Sequence, residues 1–249
     1  MRKKAWGKPA ALLLGAAVLL AGSTAGSARA ALTYYSENYS AQVSISRIGV
    51  SLLENGEIIS SRDYTEENDW VQTSGALLEN LLGEGEKLIL GKTYDNVLQV
   101  NNSGSIDTFV RAVVKKSWTD QQGDKDTSLD PEMIELDFLT DNGWMIDEDA
   151  STRERTVLYY DRLLMPGEST LPLADCFRIS KAVGTKVNHI EKKTEEGTIV
   201  TTAYAYDGYG FQIEVEADAV QTHNAADAIK SAWGVDVTVS DDGTRISLQ

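Results

Sequence analysis

FQIEVEADAVQTHNAADAIKSAWGVDVTV, residues 211–239, is the stretch that decides the fold. Phe211, Ile213, Val215, Ala217 and Ala219 alternate with Gln212, Glu214, Glu216 and Asp218. Period two with one apolar face is the pattern of a half-buried strand. After His223 the period changes. Ala225, Ala228, Ile229, Ala232 and Trp233 fall at i, i+3, i+4, i+7 and i+8, the apolar stripe of a short helix. Asn224 stands at the N-cap position, Asp227 follows three residues on, and Gly234 suits a left-handed close. A strand therefore feeds a helix of about two and a half turns. Val235, Val237 and Val239 begin a further strand.

Strand-like stretches separated by turn signals recur upstream. Val43 and Ile45 alternate, and the phase slips at Arg47 before Ile48, Val50 and Leu52 resume it, which predicts a bulge or a bend at Arg47-Ile48. Asn55-Gly56 ends that strand. Residues 70–82 are ambiguous, with Leu77, Leu78, Leu81 and Leu82 at short-helix spacing. Residues 88–100 read as a strand pair around Gly91, closed by the turn Asn101-Asn102-Ser103-Gly104. Both faces of 109–115 carry apolar groups, as a central strand requires. Further strands are expected over 134–139, 144–146, 156–164, 171–179, 186–192 and 199–206, with a polar loop at 120–130. Some ten strands without βαβ alternation predict an all-β fold. We expect an antiparallel β-sandwich of jelly-roll type with one or two short capping helices.

The first thirty residues read as an export address. Arg2, Lys3 and Lys4 precede an apolar run over 10–22, and Ala28-Arg29-Ala30 is a small-residue cleavage pattern. The run falls short of the ~20 residues of a membrane span. Cleavage is expected between Ala30 and Ala31, with 31–249 forming a single β-sandwich domain. Residues 31–43 would be its N-terminal segment, mobile or acting as a donor strand. Removing residues 1–30 would leave 18 basic against 38 acidic residues, a balance of −20. Such a charge favours solubility and argues against nucleic acid or anionic lipid as partner. The single cysteine, Cys176, excludes internal disulfides, so stability must come from a core.

Residues that could carry chemistry are few. His189 and His223 are the only histidines, and neither has a second histidine at metal spacing. No G-x-S-x-G elbow or glycine-rich phosphate loop occurs. Cys176 reads as a small buried hydrophobe rather than a reactive thiol. The carboxylates of Asp147-Glu148-Asp149 and Asp241-Asp242 suggest calcium, but Asp241-Asp242-Gly243 fits a hairpin turn better. Glu214, Glu216 and Asp218 share one strand face, read as its solvated side; a glycosidase pair is disfavoured. Tyr204, Tyr206, Tyr209 and Phe211 cluster around Asp207-Gly208, as cross-strand partners or as a sugar-binding platform. No catalytic residue, metal site or cofactor is expected.

At this point the residues resemble a family. An export signal runs into Leu32-Thr33-Tyr34-Tyr35-Ser36 and then Ile48-Gly49-Val50-Ser51-Leu52-Leu53-Glu54-Asn55. Leu88-Ile89-Leu90-Gly91-Lys92, Val100-Asn101-Asn102-Ser103-Gly104 with Val110-Arg111, and Leu164-Met165-Pro166-Gly167-Glu168-Ser169 follow. Ala219-Val220-Gln221 and Ala232-Trp233-Gly234 come last. In this order the pieces are similar to the TasA/camelysin family of exported Gram-positive surface proteins, although a proline before Gly91 would be more typical. The resemblance implies a jelly-roll subunit of biofilm-matrix fibres or of the cell surface, released by a specialised signal peptidase. It further implies that an N-terminal strand of one subunit can complete the sheet of the next. The assembly segment would then include Leu32, Tyr34, Tyr35, Tyr39 and Val43. On this reading the helix caps one end of the sandwich, anchored by Ile229 and Trp233. Camelysin-like relatives have been described as metalloproteases, but the ligand set is missing from this sequence. The expectation is thus a secreted, non-enzymatic protein of the extracellular matrix or cell surface. Its partners would be further copies or a related subunit; the rival is an adhesin binding carbohydrate or protein through exposed aromatics such as Tyr206 and Tyr209.

Overall fold

A computed structural model describes residues 47–65, 69–79, 81–83, 86–194 and 197–249, with backbone alone over 188–194 and 197–203. Ala30, Ala31, Leu32, Tyr34, Tyr35, Tyr39 and Val43 lie outside the described residues.

The chain runs through β1 (Gly49–Glu54), β2 (Glu57–Tyr64), β3 (Trp70–Thr73), β4 (Tyr94–Asn101) and β5 (Thr108–Thr119). There follow β6 (Lys125–Asp126), β7 (Ile134–Phe138), β8 (Trp144–Ile146), β9 (Arg155–Tyr160) and β10 (Ala174–Ile179). Last come β11 (Val187–Thr194), β12 (Gly197–Tyr204), β13 (Gly210–Gln221), the helix α1 (Ala225–Trp233), β14 (Val237–Val239) and β15 (Ile246–Leu248). Every named pairing is antiparallel.

One sheet has the order β3-β2-β1-β4-β10-β7 and the other β13-β5-β9-β8, with β6 beside β5; β11-β12 and β14-β15 are separate hairpins. The chain crosses between the two sheets from β4 to β5, β6 to β7, β7 to β8 and β9 to β10, and once more between β10 and β13. It pairs sequence-distant strands, β10 with β4 and β13 with β5, as a jelly roll does. Over the described residues the protein is an all-β antiparallel sandwich with one short α-helix.

Period two explains the core. Val50, Leu52, Leu98 and Val100 of the first sheet meet Val110, Ala112, Val114, Leu158 and Tyr160 of the second. The alternate residues of the second sheet, Phe109, Val113, Val157 and Tyr159, point outward. They are covered by Ala225 and Ile229 of α1 and by Val237 and Ile246. Both faces of β5 are therefore buried, which is why its two apolar sides are needed. The helix covers the outer face of the second sheet rather than an end of the sandwich, because that face carries apolar side chains that require a third layer. A further cluster joins Tyr94, Trp118, Ile134, Phe177 and Ile179.

A register shift against β2 lies between Leu52 and Leu53, and the phase slip expected at Arg47-Ile48 turns on Val43 and Ile45, outside the described residues. Three local expectations need correction. Residues 88–90 are not a strand: Gly91, at φ +75°, makes a turn whose amide donates to the Ile179 carbonyl. Among the described residues of 70–82 there is a four-residue strand followed by turns and no helix. Asn224 does not cap α1 through its side chain; it takes the left-handed conformation, and only its carbonyl accepts, from the Ala228 amide. Gly234 closes the helix at φ +77°, its amide bonded to the Lys230 carbonyl.

The β14-β15 connection is the turn expected at Asp241-Asp242-Gly243. The Ser240 hydroxyl, then the Thr244 amide and hydroxyl, donate to Asp242 and pull its carboxyl down to about 2. A depressed carboxyl stabilises the fold above its unfolded value near 4, and that contribution fades as pH falls toward 2. We expect the Asp242 carboxyl carbon to titrate by NMR with a midpoint near 2; a midpoint near 4 would mean the turn does not hold in solution.

Candidate strand-acceptor groove

The two sheets are unequal in width. Among the described residues β13 pairs only with β5, so one edge of this twelve-residue strand has no neighbour. The first sheet continues past it through β1, β2 and β3. Between them runs a groove of about 760 Å³. Val50 and Leu52 form its floor, Ile213, Val215 and Ala217 of β13 one wall, and Ser60, Arg62, Gln72 and Thr73 the other.

Register explains which side chains enter. Val50 stands opposite Arg62 and Leu52 opposite Ser60, and direct cross-strand partners share a face. Arg62 and Ser60 therefore lie on the core side of the sheet, yet Arg62, Gln72 and Trp70 are exposed. The second sheet supplies no strand above them. Trp70 is 45 % exposed, with Tyr64 edge-on at 5.3 Å and the Arg62 guanidinium 4.8 Å from its ring centroid. On β13 the inward Ile213, Val215, Ala217 and Ala219 are half-buried. Of the outward residues, Glu216 pairs with Lys115 at 2.6 Å and Asp218 with Arg111 at 2.5 Å. Glu214 accepts from Gln212. This is the solvated strand face that alternation predicted, with its charges largely answered by β5.

Both ends of the groove are identifiable. Ser51 is level with Asn101, and Gln221 with Thr108, so the start of β1 and the finish of β13 lie at one end. The Arg47 amide donates there to Ser105 Oγ, which fixes where the chain enters the domain. A Cβ on Gly104 would sit 2.6 Å from the Gly49 nitrogen, so the entry is closely packed. The opposite end is marked by Phe211 and by Leu77 and Leu78, the Leu78 amide donating to Glu54.

The remaining candidate residues do not converge. His223 is exposed, and His189 lies in β11, its side chain outside the described residues. Cys176 is half-buried, and burial, aided by Asp175, pushes its thiol up, away from the thiolate a nucleophile needs. Asp137, Asp175 and Cys176 lie within ligating reach of one another, but both carboxylates are exposed and nothing beside them adds a ligand to form a cage. Asp147 accepts the Ala150 amide within a turn. Tyr206 and Phe211 leave the aromatic cluster for the core. Tyr206 packs edge-on against Trp118 at 4.7 Å, and Phe211 stacks on Phe177 at 5.2 Å. Tyr204 and Tyr209 stay exposed. Ile229 is fully buried, and Trp233 lies 5.5 Å from the Tyr159 ring with Arg111 over its face.

Sequence reasoning saw the alternation of β13 but not its edge position, and it missed Arg62 and Trp70 altogether. Two quoted pieces prove to be one substructure: Asn101 Nδ2 donates to the Gly167 and Glu168 carbonyls, and the Gly167 amide to the Asn102 carbonyl.

Among the described residues, fold and groove together define a β-sandwich in which the long strand β13 lies at a sheet edge. No protein-family model, no curated protein and no solved structure matches the chain.

Proposed function

We propose that this protein is a secreted, non-enzymatic subunit that assembles by β-strand addition, as the likeness to TasA/camelysin proteins suggests. The observation that carries this reading is the groove beside the unpaired edge of β13. A free strand edge offers unanswered N–H and C=O groups, and an extended segment entering beside it satisfies them. It would also cover the half-buried apolar wall, each backbone bond adding about 0.5–1.5 kcal/mol net. Residues 31–46 are the proposed occupant, freed when the export signal is cut. Over 39–45, Tyr39, Ala41, Val43 and Ile45 alternate with Ser40, Gln42 and Ser44, the pattern such a slot accepts.

The test is size-exclusion chromatography with negative-stain microscopy on the secreted 31–249 chain beside one lacking 31–40. Filaments or large oligomers from the first and monomers from the second are expected. Monomers from both, across salt and pH, would sink the reading.

A further inference from the structure

The direction in which a strand enters the groove is written in its charges, and this inference rests on the assembly reading above. Among the residues lining the groove, Arg62 is the one cation; the lining carboxylates Glu216 and Asp218 are paired with Lys115 and Arg111, and no described carboxylate forms an ion pair with Arg62. Among residues 31–46, Glu37 is the one charged side chain. In an extended chain Glu37 shares a face with Tyr39, Ala41, Val43 and Ile45, the face that would turn into the groove. We infer that Glu37 of one subunit pairs with Arg62 of the next, and that the inserted strand runs antiparallel to β13.

The two directions differ in what they bury. Residues 37–45 span about 26 Å and Phe211 to Asp218 about 23 Å at ~3.3 Å per residue, so the donor fills the groove once. Run antiparallel, Glu37 lies at the Asp218 end, where Arg62 stands level with Val50. Ile45 then meets Phe211, Leu77 and Leu78 at the other end. Run parallel, Ile45 comes to the guanidinium and Glu37 is pressed among those apolar side chains without a partner, which is strongly unfavourable.

Direction also identifies the donor. Ser46 is joined to Arg47 at the β1-start end, so a subunit's own segment can enter its groove only with residue 45 at that end, parallel to β13. The antiparallel strand has residue 45 at the far end and must come from a second copy. The charge pair thus selects intermolecular insertion over self-closure. The start of β1 in one subunit then meets the Phe211 end of the next, a heterologous contact that repeats without closing.

The test is charge reversal in the full-length secreted protein, with thermal unfolding as a check on folding. Arg62→Glu and Glu37→Arg are each expected to raise the protein concentration needed for assembly about tenfold or more, and the double reversal to restore it. A Glu37→Cys, Arg62→Cys, Cys176→Ala chain treated with a short bis-maleimide should give a ladder of linked subunits. If the parent protein assembles and single reversals leave it unchanged, the pair is wrong while strand addition stands. Linking of 37 to 62 within monomers, or efficient linking within monomers of Ile45→Cys to Arg62→Cys, would overturn the antiparallel direction. A parent that never assembles removes the assembly reading itself.

Discussion

Trp144→Ala is expected to lower the unfolding free energy by about 3–5 kcal/mol, measured by urea denaturation. Trp144 is 1 % exposed between the sheets, its ring 5.2 Å from that of Tyr160. Its indole Nε1 donates to the Leu171 carbonyl at 2.9 Å. Truncation removes the ring from a fully buried place in the core and orphans that carbonyl, so cavity and hydrogen-bond costs act together. Trp144→Phe separates them: it keeps most of the volume and should cost only about 1–3 kcal/mol, the penalty of the unanswered acceptor. Against the 5–15 kcal/mol of an ordinary domain the alanine variant approaches unfolding. A loss under 1 kcal/mol would mean the sheets do not pack face to face at this point.

Asn102→Leu is the second large effect, expected at about 3 kcal/mol or more from a side chain that touches no other side chain's charge. Asn102 is fully buried. Its Nδ2 donates to the Ile106 and Leu164 carbonyls at 2.8 and 2.9 Å, and its Oδ1 accepts the Gly104 amide at 3.0 Å. Leucine matches the size but leaves the part-buried Ile106 carbonyl and Gly104 amide without this partner, and the Leu164 carbonyl with the Thr108 amide alone. The Asn102 amide and carbonyl also hold the Met165-Pro166-Gly167 turn, through Glu168 and Gly167. Hydrogen exchange at Gly167 should therefore accelerate in the variant beyond the change at the helix α1. Uniform acceleration throughout would show the two turns are not specifically joined.

How much of this was legible beforehand differs by element. The strand β13 and helix α1 were readable because each writes its own period: two in Phe211 to Ala219, then 3.6 in Ala225 to Trp233. The closing Gly234 was readable for the same local reason. The turn at Asn101-Asn102-Ser103-Gly104 was visible as a turn, but not as the clasp of a second turn some sixty residues away. Leu88, Ile89 and Leu90 misled because apolar content is not pairing. Leu88 packs on the Tyr94 cluster while Ile89 is 58 % exposed, and neither joins a ladder. Asn224 has a capping residue's chemistry, but its left-handed backbone turns the side chain from the helix amides. Least legible was the groove. Whether a strand is central or at an edge depends on partners distant in sequence, and the alternation of β13 would read the same in either place. Arg62 gave no signal of its own; opposite Val50 it becomes a core-side cation over the Trp70 ring, with no described strand of the second sheet above it.

The short rims of the sandwich have one more consequence. Of the margins of the two main sheets, β3 has four residues, β8 three and β7 five, against twelve in β13. A margin so short cannot hold a visiting strand for long. Within the two main sheets β13 is therefore the margin best able to hold a visiting strand, and on the assembly reading proposed above a polymer would add each subunit along that one line.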